Sequence, residues 1–119
     1  MKENNIIAQK SYAFALRSVK LYKFLLEKEQ YNPLFKQMLR SGTSIGANIE
    51  EGIGAQTNKD FIAKFSIAYK EARETHYWLK LLKDSDYIEA KLADSIIADC
   101  EELLKIITAI LKTMKEKEK

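Results

Sequence analysis

The chain has 119 residues, 46% of them hydrophobic and 31% charged, with a net charge of +3, which suits one folded domain and excludes a disordered chain. Its single cysteine, Cys100, cannot form an internal disulfide, which fits a reducing compartment. No stretch approaches the ~18 apolar residues of a membrane span, and Met1-Lys2-Glu3-Asn4-Asn5 does not open a secretory signal, so a cytoplasmic protein without a membrane partner is expected.

The one proline and four glycines, all of the latter between Gly42 and Gly54, leave long uninterrupted stretches that favour helices. The first helix is predicted over about 5–29 and stops before Gln30-Tyr31-Asn32-Pro33. Asn32 is a good N-cap there, and Pro33 suits the first helical position because its missing N–H has no helical acceptor to serve. The second helix is predicted over 33–52, with Gly52 and Gly54 marking its end. A third, over 58–83, begins at Thr57 or Asn58, with Asp60 beside its positive terminus. Its apolar line of Phe61, Phe65, Ala68, Ala72, Leu79 and Leu82 has one polar interruption, Thr75. Asp84-Ser85-Asp86 ends it, and a fourth helix over 88–115 carries Ile96, Cys100, Leu103, Ile107, Ile110 and Met114 at alternating steps of four and three. Long helices joined by short connections predict an all-α, antiparallel up-down-up-down four-helix bundle spanning residues 1–119 as one domain.

The apolar arcs are wider than one small bundle can enclose. Helix one carries Ile7, Phe14, Leu21 and Leu25 on one line and Ala8, Ala15, Val19, Tyr22 and Leu26 on a second. Helix four repeats the pattern with Ile97, Leu104 and Leu111. The surplus predicts contacts between subunits, where Tyr77 and Trp78 are also typical residues.

Helix two is unusual. Gly42 and Gly46 each cost about 1 kcal/mol in a helix relative to Ala, and they lie one turn apart. With Ala47 they predict close approach of another helix. Ser41, Ser44, Asn48 and Glu51 form a polar line that needs partners if buried, and Glu71, Arg73 or Glu74 of helix three are expected to supply them. A phosphate cradle is disfavoured, since the strand–loop–helix setting and the Gly-x-x-x-x-Gly-Lys-Ser/Thr order of a P-loop are both missing.

Residues 40–52, Arg-Ser-Gly-Thr-Ser-Ile-Gly-Ala-Asn-Ile-Glu-Glu-Gly, resemble the signature of the bacterial four-helix-bundle proteins known as 23S rRNA intervening-sequence proteins. The resemblance extends through 13–22, 60–64, 67–75, Tyr77-Trp78-Leu79 and 101–106, nearly the whole chain. It makes Ser41, Gly42, Ser44, Gly46, Asn48 and Glu51 the structural signature. The resemblance implies subunits assembled into a barrel-like homopentamer, with no biochemical activity attached to this type. A related branch, the accessory variability determinants of diversity-generating retroelements, works with a reverse transcriptase and binds nucleic acid through basic surfaces. The neutral Ser/Gly/Asn signature of this chain matches the intervening-sequence type instead.

Catalytic chemistry finds little support. His76 has no second ligand at metal spacing, Cys100 sits on an apolar seam, and Glu50-Glu51 and Glu101-Glu102 point to different sides of their helices. A non-enzyme without metal or cofactor is expected. Charge is distributed more tellingly: residues 1–40 carry eight Lys or Arg against three acids, whereas residues 85–119 carry six Lys against eight acids. At roughly 100° per residue Lys10, Arg17 and Lys28 nearly align on helix one, with Lys2 and Lys20 a little further around. Lys36 and Arg40 lie one turn apart on helix two. The expectation is a non-catalytic homo-oligomeric scaffold that binds structured RNA or another nucleic acid through Lys10, Arg17, Lys20, Lys23, Lys36 and Arg40. The competing expectation is a protein–protein adaptor for the product of a neighbouring gene, such as a reverse transcriptase.

Overall fold

A computed structural model describes residues 2–29 and 32–119; Gln30 and Tyr31, where the first break is predicted, lie outside the described residues. Among the described residues the chain is all-α, with α1 (Lys2–Lys28), α2 (Pro33–Ile53), α3 (Asn58–Asp84) and α4 (Ala90–Lys117), and no strand. The molecule measures 49 × 21 × 20 Å, as expected for helices of this length packed lengthwise. Helix α1 lies beside α2 and, less closely, α4; α3 lies beside α2 and α4; the diagonal pairs stay apart.

Local chemistry accounts for most of the boundaries. The Asn32 side chain accepts a hydrogen bond from the Leu34 N–H at 2.9 Å, with Pro33 at the first helical position. The Thr57 hydroxyl accepts from the Asp60 N–H at 3.1 Å, which makes Thr57 the cap and Asn58 the first residue of α3. That helix closes with Asp86 in the left-handed region at φ 65°. The Asp86 N–H bonds back to the Lys83 carbonyl and the Tyr87 N–H to the Leu82 carbonyl, both at 3.0 Å. This is a Schellman closure with Asp in the place usually taken by Gly.

Six boundaries differ from expectation by one to three residues, and three of them have a structural reason. Helix α1 begins at Lys2, three residues early, because nothing in its polar opening breaks the helix. Helix α4 begins at Ala90 rather than at 88, since Ile88 is drawn into the core just ahead of the N-cap position, Glu89, where it precedes buried Ala93. Helix α2 runs through Gly52 to Ile53, so Gly52 is not a stop signal. A Cβ at Gly52 would lie 2.6 Å from the Phe65 ring, so its glycine serves packing.

The core is built from the predicted lines. Ile7, Phe14, Leu21 and Leu25 of α1 are buried, as are Phe61, Phe65, Ala68, Ala72, Leu79 and Leu82 of α3. Ser11 and Ser18 continue the α1 line at the steps between apolar residues and are buried too. They face the α2 glycines: a Cβ at Gly42 would fall 2.5 Å from Ser18 Oγ, and one at Gly46 would fall 3.3 Å from the Ser11 carbonyl oxygen. The small residues of both helices therefore permit one close α1–α2 approach.

Candidate functional site

The polar line on α2 resolves into structure. Ser41 is fully buried, and its Oγ lies 2.8 Å from Thr75 Oγ1, which also reaches the Glu71 carbonyl at 2.7 Å. Thr75, the polar interruption of the α3 seam, is thus the partner that a buried serine requires. Ser44 bonds the Arg40 carbonyl at 2.6 Å and Asn48 the Ser44 carbonyl at 2.9 Å, both within their own helix. Glu51 pairs with Lys64 at 3.0 Å. The expected partners Glu71, Arg73 and Glu74 do not serve these side chains. Arg73 is exposed, and Glu71 and Glu74 both bind Arg40. The reason is register: Thr75 and Lys64, not Arg73, lie level with Ser41 and Glu51.

The six cations selected from the sequence fall into different surroundings. Lys10 pairs with Glu102 at 3.0 Å across α1 and α4. Arg17 pairs with Asp99 at 2.6 Å and reaches Ser95 Oγ at 2.8 Å. Arg40 bridges to Glu71 at 3.3 Å and to Glu74. Lys36 lines a shallow groove with Tyr22, Leu39 and Arg40 between α1 and α2. Lys20 and Lys23 are exposed and have no acid partner among the described residues. The excess charge of the N-terminal third is therefore partly answered by the acids of α4, and the six do not form one patch.

Neighbouring acids on α4 do diverge. Glu102 faces α1 through Lys10, while Glu101 faces α3, where its carboxylate lies 3.1 Å from His76 Nε2. Lys83 binds Asp94 at 2.6 Å, and this hydrogen bond with the Asp94 charge raises the lysine pKa. Cys100 is fully buried, with its thiol 3.3 Å from the Ala72 carbonyl. Burial, then the charges of Glu101 and Asp99, push it up to about 12, which suits a core thiol and not a nucleophile. No group of three or more His, Cys, Asp or Glu among the described residues is placed to hold a metal ion. No described helix is long and apolar enough to cross a membrane.

The apolar surplus at the surface is heaviest on α1, with Ile6, Tyr12, Leu16 and Phe24 exposed. On α4, Leu111 belongs to the core, and Ile97 and Leu104 pack against it while staying half-buried. On α1 the second line is only half-buried, and beyond it Tyr12 is 66% and Leu16 48% exposed. Together with Thr43 and Ala47 of α2, residues Ala8, Tyr12 and Ala15 line a shallow, small-residue groove along the outer α1–α2 surface.

Three features were missed in the sequence reading: Ser11 and Ser18 opposite the glycines, and the basic outer face of α3. The serines were legible as small residues at core spacing; the α3 face was hidden among alternating charges whose pairing depends on neighbouring helices.

Comparison with known proteins is consistent with this architecture. A crystal structure of a protein of unknown function from the S23 ribosomal protein family of Bacteroides thetaiotaomicron superposes with a TM-score of 0.90 at 48% identity, covering 92% of this chain and 98% of that one. No curated protein matches the chain. The model of the 23S rRNA-intervening sequence protein family matches residues 3–109. With nearly the whole chain matched, and its Gly42/Gly46 signature accounted for by the α1–α2 contact, the protein belongs to the 23S rRNA-intervening sequence protein family.

Proposed function

We propose that this protein is a non-catalytic scaffold, an antiparallel up-down-up-down bundle that assembles with copies of itself into a ring and binds structured RNA. The antiparallel order is supported by the cross-helix pairs. Lys10–Glu102 and Arg17–Asp99 join α1 to α4, and His76–Glu101 and Lys83–Asp94 join α3 to α4. In each set residue numbers rise along one helix as they fall along its neighbour.

Self-association is carried by one observation, the uncovered apolar surface of α1 with Tyr12 and Leu16 at its centre. Exposed apolar residues grouped in this way are uncommon on monomers and typical of subunit contacts. A ring of five follows from the family resemblance and repeats every surface charge five times, so a modest local excess becomes a large field. The RNA partner is supported by the net charge of +3, by the unpaired Lys20 and Lys23, and by a family named for sequences that interrupt 23S rRNA.

Size-exclusion chromatography with light scattering on nuclease-treated protein, with and without added rRNA fragments, tests the proposal. The expected result is a pentamer that shifts with RNA at low salt and loses it steeply as salt rises. A monomer overturns the self-association. A pentamer indifferent to RNA overturns nucleic-acid binding and favours the adaptor alternative, in which the assembled ring binds another polypeptide.

A further inference from the structure

A further set of cations whose side chains have no partner among the described residues lies on α3, away from the α1 residues. Lys59, Lys70, Arg73 and Lys80 are all exposed, and none has a hydrogen bond or ion pair among the described residues. At roughly 100° per residue they fall within an arc of roughly 80°, and Tyr77 lies in the same arc. The core line of α3, from Phe61 to Leu82, is on the opposite side, so this face points away from the bundle.

The surrounding acids explain why the stripe stays positive. On the flank toward α2, Glu71 and Glu74 are both held by Arg40. On the flank toward α4, Glu101 is bonded to His76 and Asp94 to Lys83. Of the remaining α3 acids, Asp60 is in the first turn and Asp84 ends the helix. Around Lys70 and Arg73 the neighbouring acids Glu71 and Glu74 are therefore already engaged, and only Asp84, one turn beyond Lys80, borders the stripe at its end. Within it Tyr77 is 60% exposed, and its ring is braced edge-on by Trp78 at a centroid distance of 5.2 Å. A braced, exposed aromatic ring between unpaired cations offers phosphate contacts and a stacking platform together.

We infer that the outer face of α3 is a binding surface for single-stranded RNA, with Lys70, Arg73 and Lys80 contacting phosphates and Tyr77 stacking on an unpaired base. This rests on the RNA reading above and places base contacts on α3. A duplex keeps its base faces stacked inside the helix, so only unpaired nucleotides can use Tyr77. Arg40 takes a different role from the one expected of it: it is a positioning residue that withdraws two carboxylates from the stripe.

Fluorescence anisotropy with a labelled oligouridylate, compared with duplex RNA of equal length, tests this on the full chain. Lys70→Glu with Arg73→Glu is expected to weaken oligouridylate binding at least tenfold and to flatten its salt dependence. Tyr77→Ala is expected to weaken it about tenfold, and Tyr77→Phe to bind as the parent does, because stacking needs the ring and not the hydroxyl. Circular dichroism and light scattering confirm that the exposed substitutions keep helicity and subunit number; a changed subunit number would mean that α3 is an assembly face, overturning the inference. If Lys20→Glu with Lys23→Glu abolishes binding while the α3 variants bind normally, the α3 assignment is overturned and the RNA reading survives. If the parent protein binds neither oligouridylate nor duplex at low salt, the RNA reading itself fails. If polyglutamate displaces oligouridylate from the parent and Tyr77→Ala changes nothing, the face takes acidic polypeptides instead.

Discussion

Replacing Gly42 by Ala sets two opposed terms against each other at one atom. In a free helix the change stabilises by about 1 kcal/mol. Here the new Cβ would stand 2.5 Å from Ser18 Oγ, 3.1 Å from Ser18 Cβ and 3.7 Å from the Phe14 ring. The hydroxyl cannot step aside freely, because it bonds the Phe14 carbonyl at 3.0 Å in a buried setting. Overpacking of this kind costs about 1–3 kcal/mol, so the expected net effect of Gly42→Ala is a destabilisation of up to about 2 kcal/mol. Removing the hydroxyl with Ser18→Ala leaves only the 3.1 Å carbon contact, which small shifts of the two helices relieve. In that background Gly42→Ala is expected to be close to neutral, giving a coupling of about 1–2 kcal/mol between the two sites. Urea denaturation of the four proteins at one common protein concentration measures the cycle, with unchanged m-values as the condition for comparison. The reasoning is refuted if Gly42→Ala alone stabilises the protein by the helical increment. It is equally refuted if the cost is the same in both backgrounds, since the clash would then not involve Ser18 Oγ.

Gly52→Ala forces a Cβ to within 2.6 Å of the Phe65 ring, and a net loss of up to about 2 kcal/mol after the helical gain is expected in the same assay. Ser41→Ala and Thr75→Val each remove one partner of a buried hydrogen bond and are expected to cost about 1–2 kcal/mol. The double variant is expected to cost less than the sum of the two, because both single changes remove the same Ser41–Thr75 hydrogen bond. Cys100 is expected to resist thiol reagents in the native protein and to react at once in denaturant. Its pKa is raised in the folded state, so its contribution to stability is complete below the unfolded thiol value of ~8.5 and is lost as pH rises toward about 12. A Cys100→Ala protein is expected to lose less stability than the parent over that alkaline window, as read by urea midpoints.

Local order was legible in the sequence wherever it depends on near neighbours. Asn32-Pro33 and Thr57 start helices because capping is a matter of two or three residues, and the core lines of α1, α3 and α4 follow from spacing alone. The early start of α4 was misplaced because Ile88 answers to the core rather than to its own helix. The meaning of Gly52 was misplaced for the same reason: the signal was read as a turn, and the cause is the Phe65 ring across the α2–α3 contact.

Function was less legible because charge on a helix surface has no fixed meaning until its neighbours are placed. The sequence determined by itself the number of helices, their caps, their buried lines and the family to which the signature belongs. Only the tertiary structure decided that Lys10, Arg17 and Arg40 are answered by acids 31 to 92 positions away while Lys70, Arg73 and Lys80 are not. Only it decided that Leu111 of α4 is spent in the core while Tyr12 and Leu16 of α1 reach the surface. The physical reason is common to both: hydrogen-bonded helical order is set within a few residues, whereas pairing and burial depend on which side chains the packing of four helices brings level with one another.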